Sequence, residues 1–115
     1  MTLAQTYSWI FYAIGLASKT AACTTAEVEN IADGINHARP SQKEMQASVW
    51  WTASKGLILK DQKRLQLTAE GIALLSDARS ASNTALGVWK YIENRFTELG
   101  ADNSMQVNPN NLMPS

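Results

Sequence analysis

A chain of 115 residues, 45% hydrophobic and 17% charged, has the size of one domain, since domains commonly run ~100–150 residues, and carries enough apolar material for an ordinary core. Ten basic and ten acidic residues give a formal net charge of zero, so the total charge argues neither for nor against a charged partner and its distribution matters more. The single cysteine, Cys23, excludes an intramolecular disulfide, which makes a reducing, cytoplasmic setting and a structural thiol the default expectation.

Leu3, Tyr7, Ile10, Ile14 and Ala17 recur at spacings of four, three, four and three, while Trp9, Tyr12 and Leu16 populate a second face. This predicts a helix over residues 3–19 that is apolar on two sides and needs more than one packing partner. Its second surface either meets another subunit or packs inside the monomer against the carboxy-terminal helix. The unbroken apolar run, residues 9–17, is about half the ~20 residues that cross a bilayer. No cation precedes it within residues 1–5, unlike a signal peptide. Thr20-Ala21-Ala22-Cys23 lacks the leucine of a lipoprotein cleavage site. No membrane partner is expected.

Thr24 followed three residues later by Glu27 is a capping box, in which each side chain satisfies a backbone N–H left unpaired by the first helical turn. Val28, Ile31, Ala32 and Ile35 then trace one face of a helix up to Asn36. Pro40 disfavours helix at Arg39 and so separates this element from the next by a short, stiff turn. His37 lies in that turn with no Cys, His or carboxylate set at ligand spacing, which favours a structural hydrogen bond over a metal or base role.

Residues 41–71 read as a helix, a glycine stop, a short hairpin and the start of another helix. Ser41 and Glu44 form a second capping box. Lys55 and Gly56 form the stop, where a residue without a Cβ can turn left-handed and a cation suits the negative end of the macrodipole. Leu57, Ile58 and Leu59 make an apolar run, Asp61 and Gln62 a turn, and Leu65 and Leu67 alternate with Arg64 and Gln66 as in a half-buried strand. Thr68 caps the following helix. Within the first of these helices Met45, Val49, Thr52 and Ala53 share one side. Trp50 and Trp51 point in different directions, so one of them is expected to line an interface or lie across the hairpin.

The order helix, Gly56-Leu57-Ile58, basic turn, Leu65-Gln66-Leu67-Thr68-x-x-Gly71 is similar to the "GLI … LT-x-x-G" pattern of winged-helix domains, including MarR-like and PadR-like regulators. The segments Ile35-Asn36-His37-Ala38-Arg39-Pro40-Ser41 and Trp51-Thr52-Ala53-Ser54-Lys55-Gly56 also resemble small bacterial winged-helix proteins. The likeness covers residues 24–78. It implies a mainly α fold with a small β-hairpin, a winged helix-turn-helix flanked by amino- and carboxy-terminal helices. It further implies double-stranded DNA binding as a transcriptional regulator, with a protein-interaction module as the alternative. In such a fold the amino-terminal part of the second helix of the pair enters the major groove, which makes Gln42, Lys43 and Gln46 the candidates for reading bases. Arg39, Lys55, Lys60, Lys63 and Arg64 are the candidates for phosphate contact. From His37 to Gln66 six cations face two anions, an excess of +4 against −4 for the remainder of the chain, as phosphate contact requires.

Ile72, Leu74 and Leu75 predict a helix over residues 68–78, and residues 80–83 a polar break. Leu86, Trp89, Ile92, Phe96 and Leu99 recur at three, three, four and three over residues 84–99, a stripe close to a two-helix seam. Running beside the first helix, it points to a homodimer through Trp9, Tyr12, Trp89, Ile92 and Phe96, or to a helix capping its own domain. Tyr7, Phe11, Trp89 and Phe96 also supply an aromatic lining for an effector pocket, although tight packing would use the same side chains. One domain is therefore expected over residues 1–100, with a disordered tail over 101–115. With one His, one Cys and no Gly-rich phosphate loop, HExxH or CxxC, neither an enzyme nor a cofactor is expected.

Overall fold

The computed structural model describes residues 1–102, which form α1 (Leu3–Ala17), α2 (Thr25–Asn36), α3 (Gln42–Ser54), β1 (Ile58–Asp61), β2 (Arg64–Leu67), α4 (Ala69–Ala81) and α5 (Ala85–Glu98). The protein is mainly α with one small antiparallel hairpin, an architecture compatible with a winged helix. The helix starts are local chemistry. Capping boxes close in both directions at Thr2–Gln5, Thr24–Glu27 and Ser41–Glu44, and Thr68 and Thr84 cap α4 and α5. Each such cap contributes about 1 kcal/mol.

The core is built around α1, which buries eleven of its fifteen residues. α2, α3 and α5 pack around it, and α4 and β2 complete the enclosure. Tyr7 stacks on Trp51 at 5.2 Å between ring centroids, Phe11 meets Phe96 edge-on at 5.4 Å, and Phe96 also touches Trp51 at 4.8 Å. Two of the tryptophans have their polar edges satisfied. Trp9 Nε1–H donates to the Ala32 carbonyl at 2.8 Å, and Trp89 Nε1–H reaches both the Gln5 carbonyl and Ser8 Oγ at 3.0 Å. Both apolar faces of α1 thus pack inside one chain. At ~1.5–3 kcal/mol per large apolar side chain buried, this cluster dominates cohesion. Between α1 and α5 these rings pack on one another, which is the tight-packing alternative for Tyr7, Phe11, Trp89 and Phe96.

The hairpin pairs Ile58 with Leu67 and Asp61 with Arg64, so its turn is Gln62–Lys63, one residue later than expected. Gln62 takes a left-handed φ of 57° to make it. On its other side β2 exchanges two backbone hydrogen bonds of 2.8 Å with Cys23 through Leu65, a one-residue third strand. The Cys23 thiol is buried, and burial first, then the charge of Glu27, push its pKa up. The structural role expected for this thiol fits such surroundings.

A compact tie joins α3, the hairpin and α4. Gly56 turns left-handed at φ 74°. Thr68 donates its hydroxyl to the Gly56 carbonyl at 2.6 Å and accepts from Gly71 N–H at 3.1 Å, while Thr68 N–H bonds the Leu57 carbonyl at 3.1 Å. A Cβ on Gly71 would collide with that same Leu57 carbonyl. The "GLI … LT-x-x-G" pattern is therefore the chemistry of one joint.

At the carboxy-terminal end α5 buries Val88, Ile92 and Phe96, spaced four and four. Leu86 and Leu99, the outer members of the expected stripe, are exposed instead. Ala101 is buried and Asp102 Oδ1 accepts from Ala4 N–H at 2.9 Å. The packed region therefore extends two residues past 100, and the remainder of the expected tail lies outside the described residues.

Candidate functional site

α3 hides only Met45, Ser48, Trp51 and Thr52. Its other side presents a row at i, i+4 spacing, Gln42-Gln46-Trp50, flanked by half-buried Val49 and exposed Ala53. The adjacent tryptophans separate as expected. Trp51 is 2% exposed within the aromatic cluster and Trp50 is 45% exposed on the outer face. Gln42, Lys43 and Gln46 are exposed in the first two turns of α3, close to its capped amino terminus. The structure thus leaves all three candidate base readers free.

The hairpin rises beside this face. Lys60 sits opposite Leu65 in the register and Arg64 opposite Asp61, so Lys60 projects on the α3 side and Arg64 on the other. Lys63 stands at the tip. Between α3, the amino-terminal part of α2 and the hairpin runs a groove of about 940 Å³, whose walls include Glu29, Gln42, Gln46, Val49, Trp50 and Lys60. The groove itself does not follow from the sequence. Its only signal there is the i, i+4 row on α3, and its other two walls come from elements distant in the chain.

The six cations of the expected patch fare differently. Arg39 donates to Glu29 Oε1 at 3.2 Å and to Asn30 Oδ1 at 3.0 Å, and this pair fixes the α2–α3 turn to the side of α2. Both side chains of this pair are solvent-accessible, so it compensates the charge of Arg39 only in part. Lys55 lies over the Trp51 ring at 5.7 Å from the centroid, at the end of α3 opposite Gln42. Arg64 makes a long hydrogen bond of 3.4 Å to the Ala22 carbonyl. Among the described residues Lys43, Lys55, Lys60, Lys63 and Arg64 have no ion pair. α2, beside the groove, carries Glu27, Glu29 and Asp33 and no lysine or arginine, so the positive edge is narrow and ends at that helix.

The five residues assigned to a dimer interface are where the monomer needs them. Trp9, Tyr12, Ile92 and Phe96 are buried in the core, and Trp89 is half-buried with its indole N–H bonded to α1. The four buried ones have little surface to offer a second subunit, because a helix apolar on two sides found partners for both within its own chain, while Trp89 keeps part of its ring exposed. His37 is exposed; its contribution is backbone, a left-handed residue closing α2 whose N–H donates to the Asp33 carbonyl at 2.7 Å. The side-chain hydrogen bond expected of it is not among those formed. Among the described residues no group of three or more His, Cys, Asp or Glu is placed to hold a metal, and no helix is long and apolar enough to cross a membrane.

Fold and site together define a mainly helical domain with a hairpin beside an exposed, cation-edged helix. Comparison with protein-family models, curated proteins and solved structures returned no match to the chain.

Proposed function

We propose that the protein binds double-stranded DNA as a winged helix does, with α3 in the major groove and the hairpin against the backbone, in the service of transcriptional regulation. In this reading Gln42, Lys43 and Gln46 meet base edges, where Gln and Lys donate and accept, while Lys55, Lys60, Lys63 and Arg64 meet phosphates. The order helix, single bridging residue, helix, helix, hairpin is the order a winged helix requires. One observation supports the reading: Lys43 on α3, Lys60 on the hairpin face beside it and Lys63 at the tip stand exposed with no ion pair among the described residues.

Fluorescence anisotropy with a labelled mixed-sequence duplex tests it. Binding should weaken as salt rises, with a log–log slope of about −0.9 per phosphate neutralised, and the pair Lys63→Glu with Arg64→Glu should remove it at every salt concentration. No affinity at ~50 mM salt, or affinity indifferent to salt, would overturn the reading.

A second reading has its own support. Trp50, Val49 and Met45 give the groove an apolar strip beside Lys60, the composition of a protein-docking surface, where tryptophan is enriched. Trp50→Ala separates the two readings when paired with the charge reversals. A protein contact would be lost with Trp50 and survive reversal at Lys63 and Arg64, and DNA binding would follow the opposite pattern.

A further inference from the structure

A second groove, of about 650 Å³, lies between the end of α1, β2 and α4 and shares no lining residue with the α3 groove. Its volume is within the ~300–1,000 Å³ typical of small-molecule sites. α4 contributes Ile72, Leu75, Ser76, Arg79 and Ser80, one helical face at i, i+3, i+4, i+7, i+8 spacing. The opposite wall is Gly15, Ser18 and Lys19 with the following Thr20, and the floor is Gln66 and Leu67 of β2.

Two features set this groove apart from a chance crevice. In a chain with as many acids as bases, its lining holds two cations and no carboxylate. Neither Lys19 nor Arg79 has an ion-pair partner among the described residues, and the hydroxyls of Thr20, Ser76 and Ser80 make no hydrogen bond there that would occupy them. The lining also has an apolar part. Leu75 presses against Gly15, where a Cβ would come within 2.6 Å of Leu75 Cδ2, and Ile72 stands 59% exposed at the rim. An unbalanced pair of cations, free hydroxyl donors and an adjoining apolar surface match a small organic anion carrying a hydrocarbon body.

We infer that this groove binds small amphiphilic anions, an aliphatic carboxylate or phosphate monoester, with Lys19, Arg79 and the hydroxyls on the acid group and Leu67, Ile72 and Leu75 on the chain. The site is independent of the DNA reading, since none of its residues belongs to the α3 face. Octanoate and hexyl phosphate are the probes, with inorganic phosphate and octanol as controls, followed by backbone amide NMR shifts on the full-length protein. Both probes should perturb Lys19, Gln66, Ser76 and Arg79 saturably. The double variant K19Q/R79Q, both exposed positions whose loss leaves the thermal midpoint in place, should weaken them at least tenfold. Saturation by only one of the two probes narrows the acid group to carboxylate or phosphate and still supports the site. Equal binding of octanol, equal binding of inorganic phosphate, unchanged affinity in K19Q/R79Q, or no saturation by either probe up to millimolar concentration would each overturn it.

Discussion

α1 and α3 are helices of similar length with opposite employment. α1 conceals eleven of fifteen residues, and α3 conceals four of thirteen. Both carry tryptophan, but Trp9 on α1 is buried with its N–H bonded, whereas α3 holds one tryptophan inside and one out. The contrast teaches that apolar content along this chain is not a guide to its working surface. The most apolar segment provides internal cohesion. The surface available to a partner comes from a helix that mixes glutamine, lysine and serine with its tryptophans, and whose outer face has little folding duty.

The sharpest way to break the comparison uses neighbouring residues. Trp51→Ala removes a ring that touches Tyr7 and Phe96, and should lower unfolding free energy by about 3–5 kcal/mol in chemical denaturation, a large share of the ~5–15 kcal/mol typical of a domain. Gly71→Ala comes next. A methyl driven against the Leu57 carbonyl must shift the start of α4 or of β1, and should cost about 1–3 kcal/mol by the same measurement. Trp50→Ala, one position from the first substitution, should move stability by no more than about 0.5 kcal/mol. Should it unfold the protein comparably, the outer face of α3 would be a packing surface and the contrast with α1 would fail.

Much of the architecture was legible because its signals are local. The capping boxes at Thr24–Glu27 and Ser41–Glu44, the Gly56 stop and the Thr68 cap each depend on residues a few positions apart, and the structure places all four where the sequence put them. The hairpin turn falls one residue later than expected, because Gln62, not a glycine or asparagine, adopts the left-handed turn conformation. Long-range features were not legible. A one-residue strand at Cys23 has no periodicity, and the capture of Ala4 N–H by Asp102 joins opposite ends of the described chain. Of the site, the exposure of Gln42, Lys43 and Gln46 followed from their place on α3. The pairing of Arg39 with Glu29 did not, because it depends on how α2 and the turn meet in space. The fate of Trp9, Tyr12, Ile92 and Phe96 was an open alternative, since a periodic apolar stripe fits a subunit seam and a domain interior equally well.

One short strand forms a party wall. Leu65 faces the crevice beside α3, while Gln66 and Leu67 line the one beside α4, and the wall is pinned at Cys23 through two hydrogen bonds and at Thr68 through the joint with Gly56 and Leu57. The two hollows adjoin that strand without sharing a lining residue, so a substitution can alter the wall of one and leave the wall of the other as it is.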